Sequence, residues 1–248
     1  MENKTKRATL VAIATMVSVL IISCKDRKTD TLEHIPSSNV TVIGAMKNVM
    51  WNGELEGVIN LDTIKNKEHL YGFGPMENLK GELLIIDGKS FQSTVATPNT
   101  MVVTETFKNK APFFAYAYIT DWDEIKMPDS IVSLPTLEKF LNATTTKHSR
   151  PFMFKLVGKI KTAAIHVVNL PQGTIVHSPA DGHKGITNYT IINENVHLIG
   201  FFSTDHKTIF THHDTFMHIH LITDDHSKMG HLDSVEFNPA SLKLLLSR

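Results

Sequence analysis

The sequence predicts an α+β fold that is rich in strands and has few helices. Three observations predict it. Short apolar segments of strand length are more frequent than helical patterns along residues 41–248. An Asp87-Gly88 pair lies between two of these segments and is typical of a β-hairpin turn. The hydrophobic fraction of 42% is ordinary for a globular protein and excludes general disorder.

The first 24 residues have the anatomy of an export signal. Three basic residues precede an apolar run from Ala8 to Ile22, which is shorter than the ~20 residues that a membrane span needs. The tetrad at 21–24 resembles a bacterial lipobox, and this resemblance implies lipidation of Cys24. We therefore predict a signal peptide at 1–24, a flexible tether at 25–40 and a domain at 41–248. The protein would be exported and lipid-anchored to a bacterial membrane, facing the periplasm or the cell surface. A plain cleaved signal, or an anchor helix with an incidental cysteine, is the alternative.

The composition narrows the class of function. The chain carries 25 basic and 25 acidic residues and has no basic run beyond its first residues, which argues against nucleic-acid binding. Cys24 is the only cysteine, so an internal disulfide is excluded. Histidine is the unusual residue, because seven of the 14 histidines fall between residues 206 and 231. Histidine is the commonest metal ligand among side chains, so this stretch is the first candidate for a site.

A hairpin is predicted near the start of the domain. Residues 81–91 have the pattern of a strand, an Asp-Gly turn and a second strand. Glu82 would lie on the same face as Leu84 and Ile86, because alternate residues of a strand share a face. A carboxylate in that position lies either at a strand end in water or in a site.

The remaining elements follow in order. Gly72 and Gly74 predict a loop before the hairpin, and Ser133 is a plausible N-cap for a helix at 134–142. Further strands are predicted at 113–120, 152–158, 163–168, 196–202, 217–223 and 231–237, and a short apolar tail at 242–246.

Two histidines stand between apolar residues in the segment 216–223. In a strand, His218 and His220 point to one face, and the apolar residues that alternate with them point to the other. His231 follows after a polar loop, and a return strand would bring it beside the pair. Three protein nitrogens with one open position are the pattern of a catalytic zinc site, although imidazole also suits copper, iron and nickel.

Two more residues are candidates for orienting these ligands. If the strand extends backwards, His212 and Asp214 share the ligand face and could hold a ligand imidazole in place. A His-x-His pair alone is common, and buried histidines with backbone partners are more frequent than ligands. The third histidine across a short loop, within a histidine-rich stretch, favours the metal interpretation.

Several of these motifs together resemble those of α-acetolactate decarboxylases. The pattern His218-x-His220, ten intervening residues and His231 preceded by glycine is similar to the zinc motif of that family. The segments Gly81-Glu82-Leu83 with Asp87-Gly88, Tyr71-Gly72-Phe73-Gly74, Pro112-Phe113-Phe114 and the bend at Gly158 also fall in the family's order. The resemblance runs from about residue 40 to residue 237.

The resemblance implies a fold, a reaction and two catalytic residues. The fold is two-lobed with mixed and antiparallel sheets, and the protein is a homodimer. The reaction is decarboxylation of the β-keto acid 2-acetolactate to acetoin and carbon dioxide, with zinc as Lewis acid on the enediolate. Glu82 matches the family's hairpin glutamate. Lys155 stands where the family has an arginine that can hold the substrate carboxylate, and lysine keeps the charge without the bidentate fork. A second family glutamate, near the C-terminus, has no match here.

Two other functions stay open. An exported, non-catalytic lipoprotein on the same scaffold could bind zinc or copper, which the surplus histidines favour. A cupin-type oxygenase also contains a His-x-His pair and a later histidine. Cupins usually place a glutamate three or four residues after the pair, whereas this chain has Asp224 and Asp225, so we rank this alternative last.

Overall fold

The structure, a computed structural model, describes residues 40–248. The predicted signal peptide at 1–24 with Cys24, and the tether up to residue 39, lie outside the described residues. The strands are β1 (Thr41–Gly44), β2 (Ile59–Asn60), β3 (Leu70–Pro75), β4 (Glu82–Ile86), β5 (Lys89–Thr97), β6 (Thr100–Glu105), β7 (Lys110–Ala111), β8 (Phe113–Tyr118), β9 (Trp122–Ile125), β10 (Phe152–Lys159), β11 (Thr162–Val167), β12 (Thr187–Ile192), β13 (Asn195–Phe202), β14 (Met217–Thr223), β15 (Met229–Glu236) and β16 (Leu242–Ser247). The α-helices are α1 (Met46–Asn52), α2 (Leu134–Thr144) and α3 (Pro179–Gly182). Within residues 40–248, no helix has both the length and the apolar character that a membrane span requires.

Two antiparallel sheets dominate the fold. The first has six strands in the order β1-β8-β3-β4-β5-β6, and the second has eight strands in the order β12-β11-β15-β14-β13-β10-β16-β9. The small strands β2 and β7 pair separately. The α+β fold class with antiparallel sheets and few helices is therefore confirmed, and the strand pairs in both sheets are antiparallel rather than mixed.

The core lies in two layers on either side of the eight-stranded sheet. The layer between the two sheets contains Tyr71, Phe73, Leu84, Met153, Ile199, Phe201, Ile222 and Met229. The opposite layer packs against α2, whose Leu137 and Leu141 are fully buried. Successive side chains of a strand point to opposite faces, so each central strand contributes to both layers.

One row of paired residues across the eight-stranded sheet positions the site. Lys155 on β10 pairs with Ile199 on β13, and Ile199 pairs in turn with His220 on β14. His220 pairs with His231 on β15, and His231 pairs with His166 on β11. Directly paired residues point to the same face, so all five residues face the six-stranded sheet.

The prediction of a loop at Gly72 and Gly74 is wrong, because this segment is the buried strand β3. A Cβ atom at Gly74 would lie 2.4 Å from the carbonyl oxygen of Phe113, so only glycine lets β8 approach this closely. The glycines therefore mark close packing between strands rather than a turn.

Two further expectations change at strand ends. The predicted apolar tail is β16, which pairs with β10 and β9 inside the eight-stranded sheet. The strand of His218 does not extend backwards, because β14 begins at Met217. His212 and Asp214 therefore lie on the loop 203–216, which joins β13 to β14.

Candidate metal centre

The three predicted ligands lie together on the inner face of the eight-stranded sheet. His218 and His220 are two residues apart on β14, and their ring centroids are 5.1 Å apart. The ring of His231 lies 4.8 Å from that of His218 and 5.7 Å from that of His220. All three side chains are buried. The polar loop between β14 and β15 acts as a hairpin turn, as the sequence predicted.

His212 reaches the same place from the loop 203–216. One ligand atom each of His212, His218 and His231 lies within 4.8 Å of the other two, a spacing that could hold a metal ion, whereas the predicted ligand His220 is not in this group. The sequence predicted that His212 would support the ligands, whereas its ring is close enough to be a ligand itself. Asp214, its predicted companion, is exposed and lies at the edge of the same cavity.

Burial keeps these imidazoles neutral. Burial, followed by the charge of His212, lowers the pKa of His218 to about 3. Burial and neighbouring histidines also lower the pKa values of His220, His231 and His212. Neutral imidazole is the form that binds a metal, so no proton needs to leave these rings near pH 7.

The tautomer of His218 is fixed by its neighbour. Nδ1 of His218 lies 2.6 Å from the carbonyl oxygen of Phe210, which can only accept a hydrogen bond. Nδ1 therefore carries the proton, and Nε2 keeps a free lone pair for a metal. This arrangement is typical of metal-binding histidines, whose second nitrogen donates to a carbonyl or a carboxylate.

His220 has two buried polar atoms that the protein does not satisfy. Within residues 40–248, neither of its ring nitrogens makes a hydrogen bond of normal geometry, although the Leu83 backbone acts to raise its pKa against the lowering by burial. The ring is stacked on Phe73, with centroids 4.6 Å apart and planes 18° apart. A buried unpaired polar group costs about 1–3 kcal/mol. A metal ion bound to a ring nitrogen would remove part of this cost, so the residues fit the metal that the sequence predicted.

Glu82 joins the histidines from the six-stranded sheet. Its Oε2 lies 3.7 Å from Nε2 of His220, and its Oε1 accepts a hydrogen bond of 3.2 Å from the backbone N–H of Val168. Only 3% of the residue is exposed. Burial raises the pKa of Glu82 to about 8, although His166 and the Val168 hydrogen bond act in the opposite direction. The sequence allowed two positions for this carboxylate, at a strand end in water or inside a site. The structure shows the second.

His166 and Asp233 complete the site, and the sequence analysis missed both. His166 lies beside His231 with ring centroids 4.6 Å apart, and its Nδ1 is 2.7 Å from Oδ1 of Asp233. Burial alone would lower the pKa of His166, but the Asp233 hydrogen bond and the charges of Glu82 and Asp233 raise it overall. His166, His231 and Asp233 form a second group with metal-binding spacing. Asp233, two residues after His231 on a predicted strand, was the available signal.

Lys155 lies away from this cluster. Its Nζ is 4.1 Å from the ring centroid of Trp122 and 5.4 Å from that of Tyr71. Ile199 separates it from His220 in the paired row, so the two backbones are roughly 10 Å apart across two strand spacings. The structure does not place Lys155 in the lining of the cavities at the histidines. Its role in holding a substrate carboxylate stays a prediction.

Two cavities meet at the histidines. The outer cavity has a volume of about 510 Å³ and lies between the start of α2, the loop 203–216 and the strands β14 and β15. The inner cavity has a volume of about 40 Å³, and its lining includes Glu82 and His166. Three residues line both cavities: His212, His218 and His231.

Comparisons with known proteins agree with this fold. The sequence profile described as alpha-acetolactate decarboxylase matches residues 43–246. Among solved structures, acetolactate decarboxylase from Bacillus subtilis subspecies spizizenii is 18% identical with a TM-score of 0.68, covering 84% of this chain and 85% of that one. The enzyme from Bacillus subtilis strain 168 is 17% identical with a TM-score of 0.67, covering 84% of both chains. A Staphylococcus aureus protein of unknown function, similar to alpha-acetolactate decarboxylase, is 15% identical with a TM-score of 0.65 over 84% of both chains. A comparison with curated protein sequences gave no match.

The fold and the site together define a class of protein: two antiparallel sheets enclosing a buried histidine cluster of metal-binding type. The chain belongs to the alpha-acetolactate decarboxylase family, because the family profile covers most of its length. The family resemblance predicted from the sequence is thereby confirmed. The structural neighbours, at 15–18% identity, support the fold.

Proposed function

We propose that this protein is a metal-dependent carbon–carbon lyase that converts 2-acetolactate to acetoin and carbon dioxide. Family membership supports the reaction class. The observation that carries the proposal is the buried carboxyl group of Glu82, whose Oε2 lies 3.7 Å from Nε2 of His220 inside the histidine cluster. A buried carboxyl group oriented by a backbone hydrogen bond can deliver a proton to a substrate at the cluster, which metal binding alone does not require.

The metal would be held by His218, His220 and His231. These three are neutral and buried, and His218 is already in the tautomer that leaves Nε2 free. Zinc is the metal that we propose, although the imidazole set also suits copper, iron and nickel. When bound, such an ion supplies Lewis acidity, which stabilises negative charge on the substrate oxygens next to the bond that breaks.

Glu82 would handle the proton. In the reaction, the bond between the carboxylate carbon and its neighbour breaks, and the electron pair passes toward the adjacent carbonyl group. The carbon that loses carbon dioxide then takes one proton, which completes acetoin. Glu82 is the carboxyl group beside His220, and the Val168 N–H orients its Oε1, so Oε2 is the atom that would deliver the proton.

His166 and Phe73 would shape the pocket around the reacting atoms. Asp233 fixes the ring of His166 through the 2.7 Å hydrogen bond, so this polar side chain is held beside His231. Phe73 packs on two of the histidines, with its ring centroid 4.6 Å from that of His220 and 4.8 Å from that of His218. This apolar ring excludes water from one side of the cluster, and electrostatic interactions are stronger where water is excluded.

We also propose that the protein acts outside the cytoplasm, anchored by a lipid on Cys24. The basic start, the apolar run and the Cys24 tetrad support this location. Cys24→Ser should move the chain from the membrane fraction to the soluble fraction, and an unchanged distribution would contradict the anchor. A homodimer, implied by the family resemblance, stays a prediction.

Acetoin formation tests the proposed reaction. The full-length protein is freed of metal with a chelator and then assayed with 2-acetolactate, with and without added zinc. We expect zinc-dependent acetoin above the spontaneous rate, abolished in His220→Ala and retained in His213→Ala. His213 is a matched control because it is exposed and lies next to His212 on the same loop. A folded, zinc-loaded protein that makes no acetoin would refute the lyase assignment.

A second candidate is an exported lipoprotein that binds zinc or copper without catalysis. The observation that favours it is the extra imidazole of His212, which brings a further ligand atom within 4.8 Å of those of His218 and His231. Structural zinc sites are closed by four protein ligands, whereas catalytic sites keep one position for water or substrate. Stoichiometric metal binding without acetoin formation would support this candidate.

A further inference from the structure

His212 occupies the position from which a ligand could close the metal site. Its ring centroid is 4.9 Å from that of His231 and 5.7 Å from that of His218. His212 is partly buried, and within residues 40–248 its ring makes no hydrogen bond. An imidazole without a hydrogen-bond partner, with a ligand atom within 4.8 Å of two others, is available to a metal ion.

The loop that carries His212 is anchored on both sides of it. On one side, Phe210 is buried, and its carbonyl oxygen accepts the hydrogen bond from His218 Nδ1. On the other side, Glu138 on α2 accepts hydrogen bonds from the side chain of Thr215 and, at 2.8 Å, from the backbone N–H of Phe216. The segment 211–214 is therefore a short bridge between two fixed points, and it holds His212 at the cluster.

The sizes of the two cavities bear on how a substrate could reach Glu82. The inner cavity, which reaches Glu82 and His166, has a volume of about 40 Å³. That is room for about one water molecule, whereas small-molecule sites usually occupy about 300 Å³ or more. The outer cavity, at about 510 Å³, is large enough. His212, His218 and His231 line both cavities, and His212 is the one of the three that a loop carries, so a substrate passing from the outer cavity to Glu82 would most readily displace this ring or the segment that carries it.

We propose that His212 is a fourth, displaceable imidazole ligand, so that the resting site is closed by His212, His218, His220 and His231. This inference rests on the metal centre of the proposed function and adds to it a ligand that must leave before substrate binds. An open position would appear only when His212 moves away, and the two cavities would then join at the place that it leaves. The side chain of His212 would therefore raise the affinity for the metal and lower the rate at which substrate enters.

Cobalt(II) is the probe, because its visible absorption depends on the number and kind of its ligands. The full-length protein, His212→Ala and His213→Ala are freed of metal and titrated with cobalt(II) against a chromophoric chelator. We expect His213→Ala to match the unaltered protein. We expect His212→Ala to bind cobalt at least about tenfold more weakly, to change the visible bands, and to regain the original spectrum when free imidazole is added. His212→Asn serves in place of His212→Ala if the alanine variant does not fold, as judged by circular dichroism.

Two results would overturn the inference. One is cobalt affinity and spectrum in His212→Ala equal to those of His213→Ala. The other is weaker binding with an unchanged spectrum and no effect of imidazole, which would place His212 outside the coordination shell. His220→Ala, measured in parallel, separates this failure from that of the proposed function. If His220→Ala loses cobalt while His212→Ala keeps it unaltered, only the role of His212 fails. If both keep it unaltered, the metal centre itself fails.

Discussion

Replacement of His220 by leucine should make the metal-free protein more stable while removing its response to metal. Both ring nitrogens of His220 are buried without a normal hydrogen bond, and each unpaired buried group costs about 1–3 kcal/mol. Leucine has a similar volume and no polar atom. It loses the stacking on Phe73, which is worth about 0.5–1.5 kcal/mol. The two unpaired nitrogens together cost about 2–6 kcal/mol, so after the loss of stacking we expect a gain of about 0.5–5.5 kcal/mol in the free energy of unfolding of the metal-free protein.

His218→Leu is the matched control, because it makes the same change two residues away on the same face of β14. Nδ1 of His218 donates to the carbonyl oxygen of Phe210, so leucine leaves that carbonyl without its partner. The metal-free control should lose about 1–3 kcal/mol. The two leucine variants should therefore differ from the unaltered protein in opposite directions.

Urea unfolding, followed by circular dichroism with and without zinc, measures both effects. Zinc at about 100 times its dissociation constant should stabilise the unaltered protein by about 2.7 kcal/mol. The same zinc concentration should leave His220→Leu unchanged. The reasoning is refuted if His220→Leu is less stable than the unaltered protein without metal, or if zinc still stabilises it. Either result would mean that the ring nitrogens of His220 have partners other than those described above.

Three further substitutions separate the parts of the site. Glu82→Gln should lower acetoin turnover about 100-fold or more, while zinc affinity, measured by chelator competition, stays within a few fold of the unaltered protein. An unchanged turnover would remove Glu82 from the mechanism. Gly230→Ala should lower the free energy of unfolding by about 1–3 kcal/mol and weaken zinc binding. The reason is that Gly230 directly precedes His231 in the chain, and the added Cβ would lie 2.4 Å from the carbonyl oxygen of His166. Equal urea midpoints for the variant and the unaltered protein would contradict this. Lys155→Met should leave KM for 2-acetolactate within about twofold, because Nζ lies over Trp122 rather than at the cavities. A tenfold rise in KM would instead place Lys155 at the substrate carboxylate.

Local patterns in the sequence were sufficient for the parts of the site that depend on neighbours in the chain. Alternation placed His218 and His220 on one face of β14, and the short polar loop brought His231 back directly opposite His220. The hairpin at Asp87-Gly88 likewise fixed which side of β4 carries Glu82. These relations are set by strand period and turn length, which a single sequence contains.

The sequence could not supply the relations between strands that are distant along the chain. His166 lies beside His231 because β11 pairs with β15, and Lys155 lies away from the histidines because β13 separates β10 from β14. Both residues lie on predicted strands, but their distances from the histidine cluster depend on the strand order. His212 was placed near the ligands for the wrong reason, since a loop and not an extended strand carries it.

The division of the site between the two sheets would separate metal binding from the proposed catalysis. The three histidines with metal-binding spacing, His212, His218 and His231, come from the loop before β14, from β14 and from β15, so the eight-stranded sheet and its loop could hold a metal alone. The buried carboxyl group comes from β4 in the six-stranded sheet, and Phe73 on β3 packs against the histidines beside it. Loss of the carboxyl group would therefore leave a metal-binding protein on an intact scaffold. In this chain Glu82 is buried, oriented by Val168 and 3.7 Å from His220, which is the placement that the proposed proton transfer requires.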